Sequence, residues 1–284
     1  MGRLGIVAGG GELPFIGYKQ AKLMGEDPLL LGLKESDFDP TRMPERTIHL
    51  HLTKIGNILK ICKKEGIDRI LLAGKVRKEL LFKGLHLDLK AISILAKSLN
   101  KNDHPIFLAV AEEFRKYGIQ FESQKKYLKP LLLKQGRYTS KKLDSKEVAD
   151  VIFGMDYAAK IADLDIGQTV VVLDESVVAV EAVEGTDETI LRGGQYTKKK
   201  GSAVVCKSSK SSQDERFDLP TVGVHTLKIM LEAGCKTLAI REGETIVIEP
   251  IETIRFAEKN KLNLVCYASN GKKEFNQYQK ITGL

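Results

Sequence analysis

Tryptophan is absent from this 284-residue chain and cysteine is scarce: Cys62, Cys206, Cys235 and Cys266 stand far apart, with no C-x-x-C pair. That scatter excludes a zinc-ribbon site and a disulfide framework, and predicts four buried reduced thiols. The five histidines form no H-E-x-x-H. His49 and His51 share one face of an expected strand, but without a third ligand they read as structural. No apolar run approaches the ~18 residues of a membrane span. The opening residues MGRLGIVA are too short an apolar run for a signal peptide and read as a first strand, so residence in the cytoplasm is expected. No internal repeat stands out. The net charge is +8, with lysine spread over the whole chain and one dense run at Lys198, Lys199 and Lys200. A basic balance attracts polyanions without choosing among them. Nucleic acid is disfavoured as a partner, since there is no aromatic-interleaved basic motif and no zinc-finger, RNA-recognition or KH signature.

What is present is a globular composition, 43% hydrophobic and 29% charged, in a chain long enough for two domains with separate cores. The first 120 residues alternate strands (4–8, 28–33, 46–52, 69–73) with amphipathic helices (13–24, 55–66, 90–99, 106–117). That alternation predicts a Rossmann-like parallel sheet with helices on both faces. In the helix over 90–99, Ile92, Leu95, Ala96 and Leu99 fall on one side. Mixed Pro, Gly, Ser and charge then mark a connection. The expected domains are 1–135, a linker 136–147, and 148–284. A long helix over 147–162 opens the second half, which is richer in strand (169–173, 177–183, 203–206, 237–240, 245–248, 262–266), with helices over 224–233 and 251–260. This is an α/β domain of unusual order.

Four places carry candidate chemistry. Gly9, Gly10 and Gly11 follow a strand and open a helix, so the backbone can approach a phosphate or sugar closely; the pattern is neither G-x-G-x-x-G nor a Walker loop, and a tight strand–helix turn explains it equally. Gly74 and Lys75 end a predicted parallel strand, where open α/β sheets place ligands; an exposed lysine is the plainer alternative. In the cluster Glu181, Glu184, Thr186, Asp187, Glu181 lies inside an expected strand while Glu184 and Asp187 fall at its end and in the turn beyond. Glu184 with Asp187 would suit magnesium, which takes one or two carboxylates plus substrate phosphates. Arg192 follows within reach of a phosphate, though Thr186 or Asp187 could simply cap the next helix. Finally, R-F-D-L-P-T-V-G over 216–223 puts the Asp218 carboxylate between a basic segment (Lys207, Lys210, Arg216) and a helix start expected near Thr221 and Gly223. A carboxylate there can hold a divalent cation or take a proton from water, beside free N–H groups for a phosphate. Read alone, it is also an ordinary turn and cap.

Five pieces occur in order: A-G-G-G-x-L-P at 8–14, A-G-x-V at 73–76, D-I-G-Q at 165–168, A-V-E-A-x-E-G-T-D at 179–187 and D-L-P-T-x-G at 218–223. Together they resemble the LpxI-type UDP-2,3-diacylglucosamine pyrophosphatase family, over about residues 3–267. The resemblance implies a cytoplasmic step of lipid A biosynthesis. There, UDP-2,3-diacylglucosamine is hydrolysed with Mg2+ to 2,3-diacylglucosamine 1-phosphate (lipid X) and UMP, in two domains around a ligand cleft. It makes Asp218 the essential catalytic aspartate. On this basis Asp218, Glu184 and Asp187 are the expected metal carboxylates. Gly9, Gly10, Gly11, Gly74, Lys75, Thr186, Arg192, Thr221 and Gly223 are the expected substrate contacts. Two departures weaken parts of it: Lys75 stands where a relative carries asparagine, and 193–201 differs from a relative in length and composition. A two-chain lipid also implies peripheral contact with the inner membrane, where lysine meets anionic headgroups, and an apolar trough to which Leu80, Leu81 and Phe82 could contribute. The competing expectations are a nucleotide-sugar transferase or epimerase, and a non-catalytic nucleotide-binding module.

Overall fold

The computed structural model describes residues 2–42, 46–75, 87–98, 104–197, 203–217, 219–268 and 273–279. The chain forms two compact units, Met1–Leu128 with Glu215–Phe217, and Lys129–Asp214 with Asp218–Leu284. Residues 136–147, expected as a connection, fall inside the second unit.

In the first unit the order is β1 (Arg3–Ala8), α1 (Leu13–Leu23), β2 (Leu29–Leu33), β3 (Thr47–Leu50), α2 (Ile55–Glu65), β4 (Ile67–Ala73), α3 (Leu89–Ser98), α4 (His104–Arg115), β5 (Gln120–Phe121) and α5 (Gln124–Leu128). The strands form one sheet in the order β3-β2-β1-β4-β5, with every pairing parallel. Central strands buried on both faces should be apolar throughout, and β2, Leu-Leu-Leu-Gly-Leu, is buried at all five positions. On one face Leu4, Ile6, Leu30 and Leu71 pack against Tyr18, Ala21 and Tyr127. On the other, Leu29, Leu31, Leu50 and Ile70 pack against Ile58, Leu59, Ile94 and Phe114. The apolar side of α3 differs from expectation: Ala91 and Ile94 are buried and Ile92 is half-exposed. Glu215–Phe217 is built into this unit. The Glu215 carbonyl accepts the Gln124 N–H at 2.8 Å, its carboxylate pairs with Lys125 at 2.7 Å, and Phe217 packs on Phe107 and Phe121.

The second unit runs β6 (Gly136–Arg137), α6 (Ser145–Asp163), β7 (Thr169–Leu173), β8 (Ser176–Val180), α7 (Thr186–Gly194), β9 (Val204–Lys207), β10 (Thr221–Val222), α8 (Val224–Ala233), β11 (Thr237–Arg241), β12 (Ile246–Val247), α9 (Pro250–Lys259) and β13 (Asn263–Tyr267). Its main sheet has the order β6-β13-β11-β9-β7-β8, while β10 and β12 form a separate parallel pair. Only β13, β11 and β9 run parallel; β6, β7 and β8 pair antiparallel. α6 starts at a capping box, with Asp144 accepting the Lys146 and Glu147 N–H groups and Glu147 accepting the Asp144 N–H. One face of the sheet is covered by α7, α8 and α9 through Ile190, Leu227, Met230 and Ala257. The other is covered by α6 through Val151, Met155 and Ala158.

All four cysteines are buried and free. Burial pushes the Cys62 thiol up to about 11 and Cys235 up to about 12, so at neutral pH they are protonated and inert. No helix among the described residues is long and apolar enough to cross a membrane.

Candidate functional site

In the first unit the sheet order reverses between β1 and β4, the switch point where open α/β sheets take ligands outside their carboxyl ends. The two turns found there are those singled out in the sequence, and they bind each other. Gly10 N–H donates to the Lys75 carbonyl at 2.9 Å, Lys75 N–H donates to the Gly10 carbonyl at 2.9 Å, and Gly9 N–H donates to the Ala73 carbonyl at 2.8 Å. A Cβ on Gly9 would lie 2.6 Å from the Lys75 carbonyl oxygen. A Cβ on Gly74, whose φ is +91°, would lie 2.6 Å from the Gly10 carbonyl oxygen. These two glycines therefore answer first to close backbone approach. Gly11, also at φ +91°, faces open space. Beside it Glu12 accepts both Arg42 guanidinium N–H groups at 2.7 Å. The Arg42 hydrogen bonds hold the Glu12 carboxyl below the ordinary carboxylate range. The same guanidinium lies 4.1 Å from the Phe15 ring centroid.

In the second unit the acidic cluster is tied to the end of β9. β8 stops at Val180, so Glu181 lies just past the strand expected to contain it. Its carboxylate accepts the Thr186 hydroxyl at 2.9 Å and the Gln168 N–H at 3.3 Å. Thr186 opens α7 after Gly185, which caps the helix without a side chain, so neither Thr186 nor Asp187 is the cap. The Thr186 hydroxyl in turn accepts from the Lys207 ammonium at 2.6 Å, and that ammonium also reaches the Thr169 hydroxyl at 3.4 Å. Lys207 is only 6% exposed. Burying an ammonium is expensive unless polar groups replace its water. Here the Thr169 and Thr186 hydroxyls are among those groups.

Glu184 accepts from Arg192 at 2.6 Å and from the Thr189 hydroxyl at 3.3 Å. Its own backbone N–H, then Arg192 and Thr189, hold its carboxyl below the ordinary range. Arg192 also donates to the Val180 carbonyl at 2.7 Å. Glu184 and Arg192 line an open depression of about 500 Å³ with Glu188, Leu191 and Gln195. Asp187 hydrogen-bonds His225 at 2.8 Å, joining the first turns of α7 and α8. Among the described residues, no group of three or more His, Cys, Asp or Glu is placed to hold a metal ion.

Asp218 lies outside the described residues, as do Leu80, Leu81, Phe82 and the run Lys198, Lys199, Lys200. The helix expected over 224–233 is α8, and its start lies past Thr221. Thr221–Val222 pairs in parallel with Ile246–Val247, a strand that suits its β-branched side chains, and Gly223 is the N-cap of α8. The free N–H groups of that helix therefore belong to its first turn, from Val224 onward. Sequence reasoning noted Lys207 as part of a basic segment but missed its burial. The available signal was its period-2 position after Val205, on the inward face of β9.

These features define a two-unit α/β protein whose second unit carries a buried cation–hydroxyl–carboxylate chain at a strand end. Family models place it more closely: the LpxI N-terminal domain matches residues 3–131 and the LpxI C-terminal domain matches residues 134–265. The chain is also 30% identical over 269 residues to the UDP-2,3-diacylglucosamine pyrophosphatase LpxI of Caulobacter vibrioides, covering 91% of this chain and 95% of that protein. The chain belongs to the LpxI family.

Proposed function

We propose that this protein hydrolyses the pyrophosphate bond of UDP-2,3-diacylglucosamine, releasing 2,3-diacylglucosamine 1-phosphate and UMP. The observation that carries this reading is the match to a relative of that named activity across nearly the full length of both chains. Water attacks the phosphorus nearer the sugar, the bridging P–O bond breaks, and the oxygen leaves with UMP. Such a reaction needs negative charge balanced on both phosphates and a water held in line.

The reading gives Asp218 the water or a metal to hold. It gives substrate contact to Gly9, Gly10, Gly11, Gly74 and Lys75 in the first unit, and to Thr186, Arg192, Thr221 and Gly223 in the second. Magnesium, when bound, would screen phosphate charge, and Asp218, Asp187 and Glu184 are the carboxylates proposed to hold it. The described part of this set is a partial fit: Asp187 is bonded to His225, and Glu184 would have to share or release Arg192. The same reading places the protein in the cytoplasm in peripheral contact with the inner membrane, where its positive charge meets anionic headgroups.

The test is UMP release from purified UDP-2,3-diacylglucosamine. Asp218→Ala should lower turnover about 100-fold or more, the scale of one well-placed electrostatic group. Near wild-type turnover in that variant would remove Asp218 from the reaction, and no UMP from the wild type would end the proposal. A transferase or epimerase would release no UMP from substrate and water alone, and a binding module would hold the nucleotide without turnover. Omitting magnesium and adding chelator should abolish turnover. A Glu184→Gln rate unchanged at every magnesium concentration would take Glu184 off the metal.

A further inference from the structure

Lys207 is a buried cation that the assigned machinery leaves unused. It closes β9 in register with Ile240 of β11, and so projects on the face that carries Val205 and Ile240, beneath α7 and α8. Apolar side chains fill that face up to Val205, and the next inward position is an ammonium at 6% exposure. A buried lysine is a poor choice for stability, because an apolar residue of similar volume commonly packs there at no loss. Its surroundings orient it: Thr186 accepts at 2.6 Å, Thr169 lies at 3.4 Å, and Thr186 donates onward to Glu181 at 2.9 Å. The Thr186 hydroxyl has one proton, which goes to Glu181, so its lone pairs face the ammonium and the direction of the chain is fixed.

The place also matters. The carboxyl ends of parallel strands are where α/β sheets present ligand-binding groups. Beside Lys207, the first turns of α7 and α8 are joined by Asp187 and His225 at 2.8 Å. An oriented ammonium here, in surroundings that exclude most water, acts on a phosphoryl oxygen more strongly than a solvated lysine does.

We propose that Lys207 is a catalytic residue of the hydrolysis, its ammonium contacting a phosphoryl oxygen of the pyrophosphate while Thr186 and Glu181 hold it in place. This rests on the reading of the protein as a pyrophosphatase. Its role is to stabilise the charge that moves onto the phosphate oxygens as the bridging bond breaks.

The experiment measures UMP release and thermal unfolding for wild type, Lys207→Met, Lys207→Arg and Lys207→Ala. Lys207→Met should lose turnover by about 100-fold or more while KM changes far less and the protein stays folded. Lys207→Arg, which keeps the charge but moves it, should fall between wild type and Lys207→Met. Lys207→Ala should regain part of its turnover in ethylamine and none in ethanol, a distinction that a packing role would not produce. The inference is overturned by Lys207→Met turnover within about threefold of wild type, by equal losses in the Met and Arg variants, or by losses that only track melting temperature. Wild type releasing no UMP sinks the pyrophosphatase reading and this inference with it. Wild-type release alongside an undiminished Lys207→Met sinks the role of Lys207 alone.

Discussion

Both units end parallel strands at a place suited to ligands, and they finish those ends differently. In the first, the turns after β1 and β4 are closed by main-chain hydrogen bonds between Gly10 and Lys75. In the second, the end of β9 is closed by side chains, from Lys207 through Thr186 to Glu181. A main-chain closure fixes shape and tolerates no added atom; a side-chain closure fixes charge and can meet a reacting group. The contrast teaches that glycine in the first unit and ionisable residues in the second are the sensitive positions, although both kinds of motif look equally like ligand loops in sequence.

The largest stability effect should come from adding one carbon to the first closure. Gly74→Ala forces a side chain onto φ +91° and puts its Cβ 2.6 Å from a backbone oxygen that belongs to the paired turn. Strained backbone costs of order 1–3 kcal/mol, and the overlap adds to it, so a loss of about 3 kcal/mol is expected. Gly11→Ala has the same φ with open space around it, and should lose only about 1 kcal/mol. Denaturant midpoints of the two variants check this. Equal losses would mean that the turns do not approach as closely as described, and the comparison between the units would weaken.

A middle-sized effect tests a side-chain closure with no part in the reaction. α6 begins where Asp144 accepts two backbone N–H groups, each at 2.9 Å. Asp144→Ala should lower stability by about 1 kcal/mol and leave UMP release per folded molecule as it was. A loss of turnover at constant stability would show that side-chain closures in the second unit are coupled to activity well beyond Lys207.

These contrasts also mark how far the sequence could be read. Runs such as Leu29–Leu33 and Thr169–Leu173 were legible as buried strands because unbroken apolar stretches have few other uses. The parallel first sheet followed from strand–helix alternation. The pairing of the turn at Gly10 with that at Lys75 was not legible, since it joins residues 65 positions apart through backbone atoms that carry no residue identity. Thr221 and Val222 were read toward a helix because Pro and Thr favour helix starts. Their strand partner, Ile246–Val247, comes from a distant stretch that a local window does not see. Lys207 was legible as a charge but not as a buried one, because its burial depends on Thr169 and Thr186. Charged residues are read as solvated by default, and that default hides a lysine whose water has been replaced by hydroxyls.

The smallest effect is a pH dependence in the first unit, where charge acts between helices and not at a strand end. Glu113 on α4 pairs with Lys116 at 2.8 Å and with Lys90 of α3 at 2.8 Å. Hydrogen bonds from Lys116 and then Lys90 bring its carboxyl from 4.5 down to about 2. A carboxyl with a depressed folded-state pKa stabilises the fold while ionised. The contribution is thus fully present above about pH 4.5 and declines as the pH falls toward 2. Both lysines lie at the surface, so salt should reduce it further. Melting temperatures of wild type and Glu113→Gln, measured from pH 6 down to pH 2, should differ by a small constant amount at the upper end and converge at the lower end. A difference that is constant over the whole range would mean the pair acts through packing alone. The first unit would then respond to added atoms at its glycine turns and not to charge between α3 and α4, and its contrast with the second unit would become sharper.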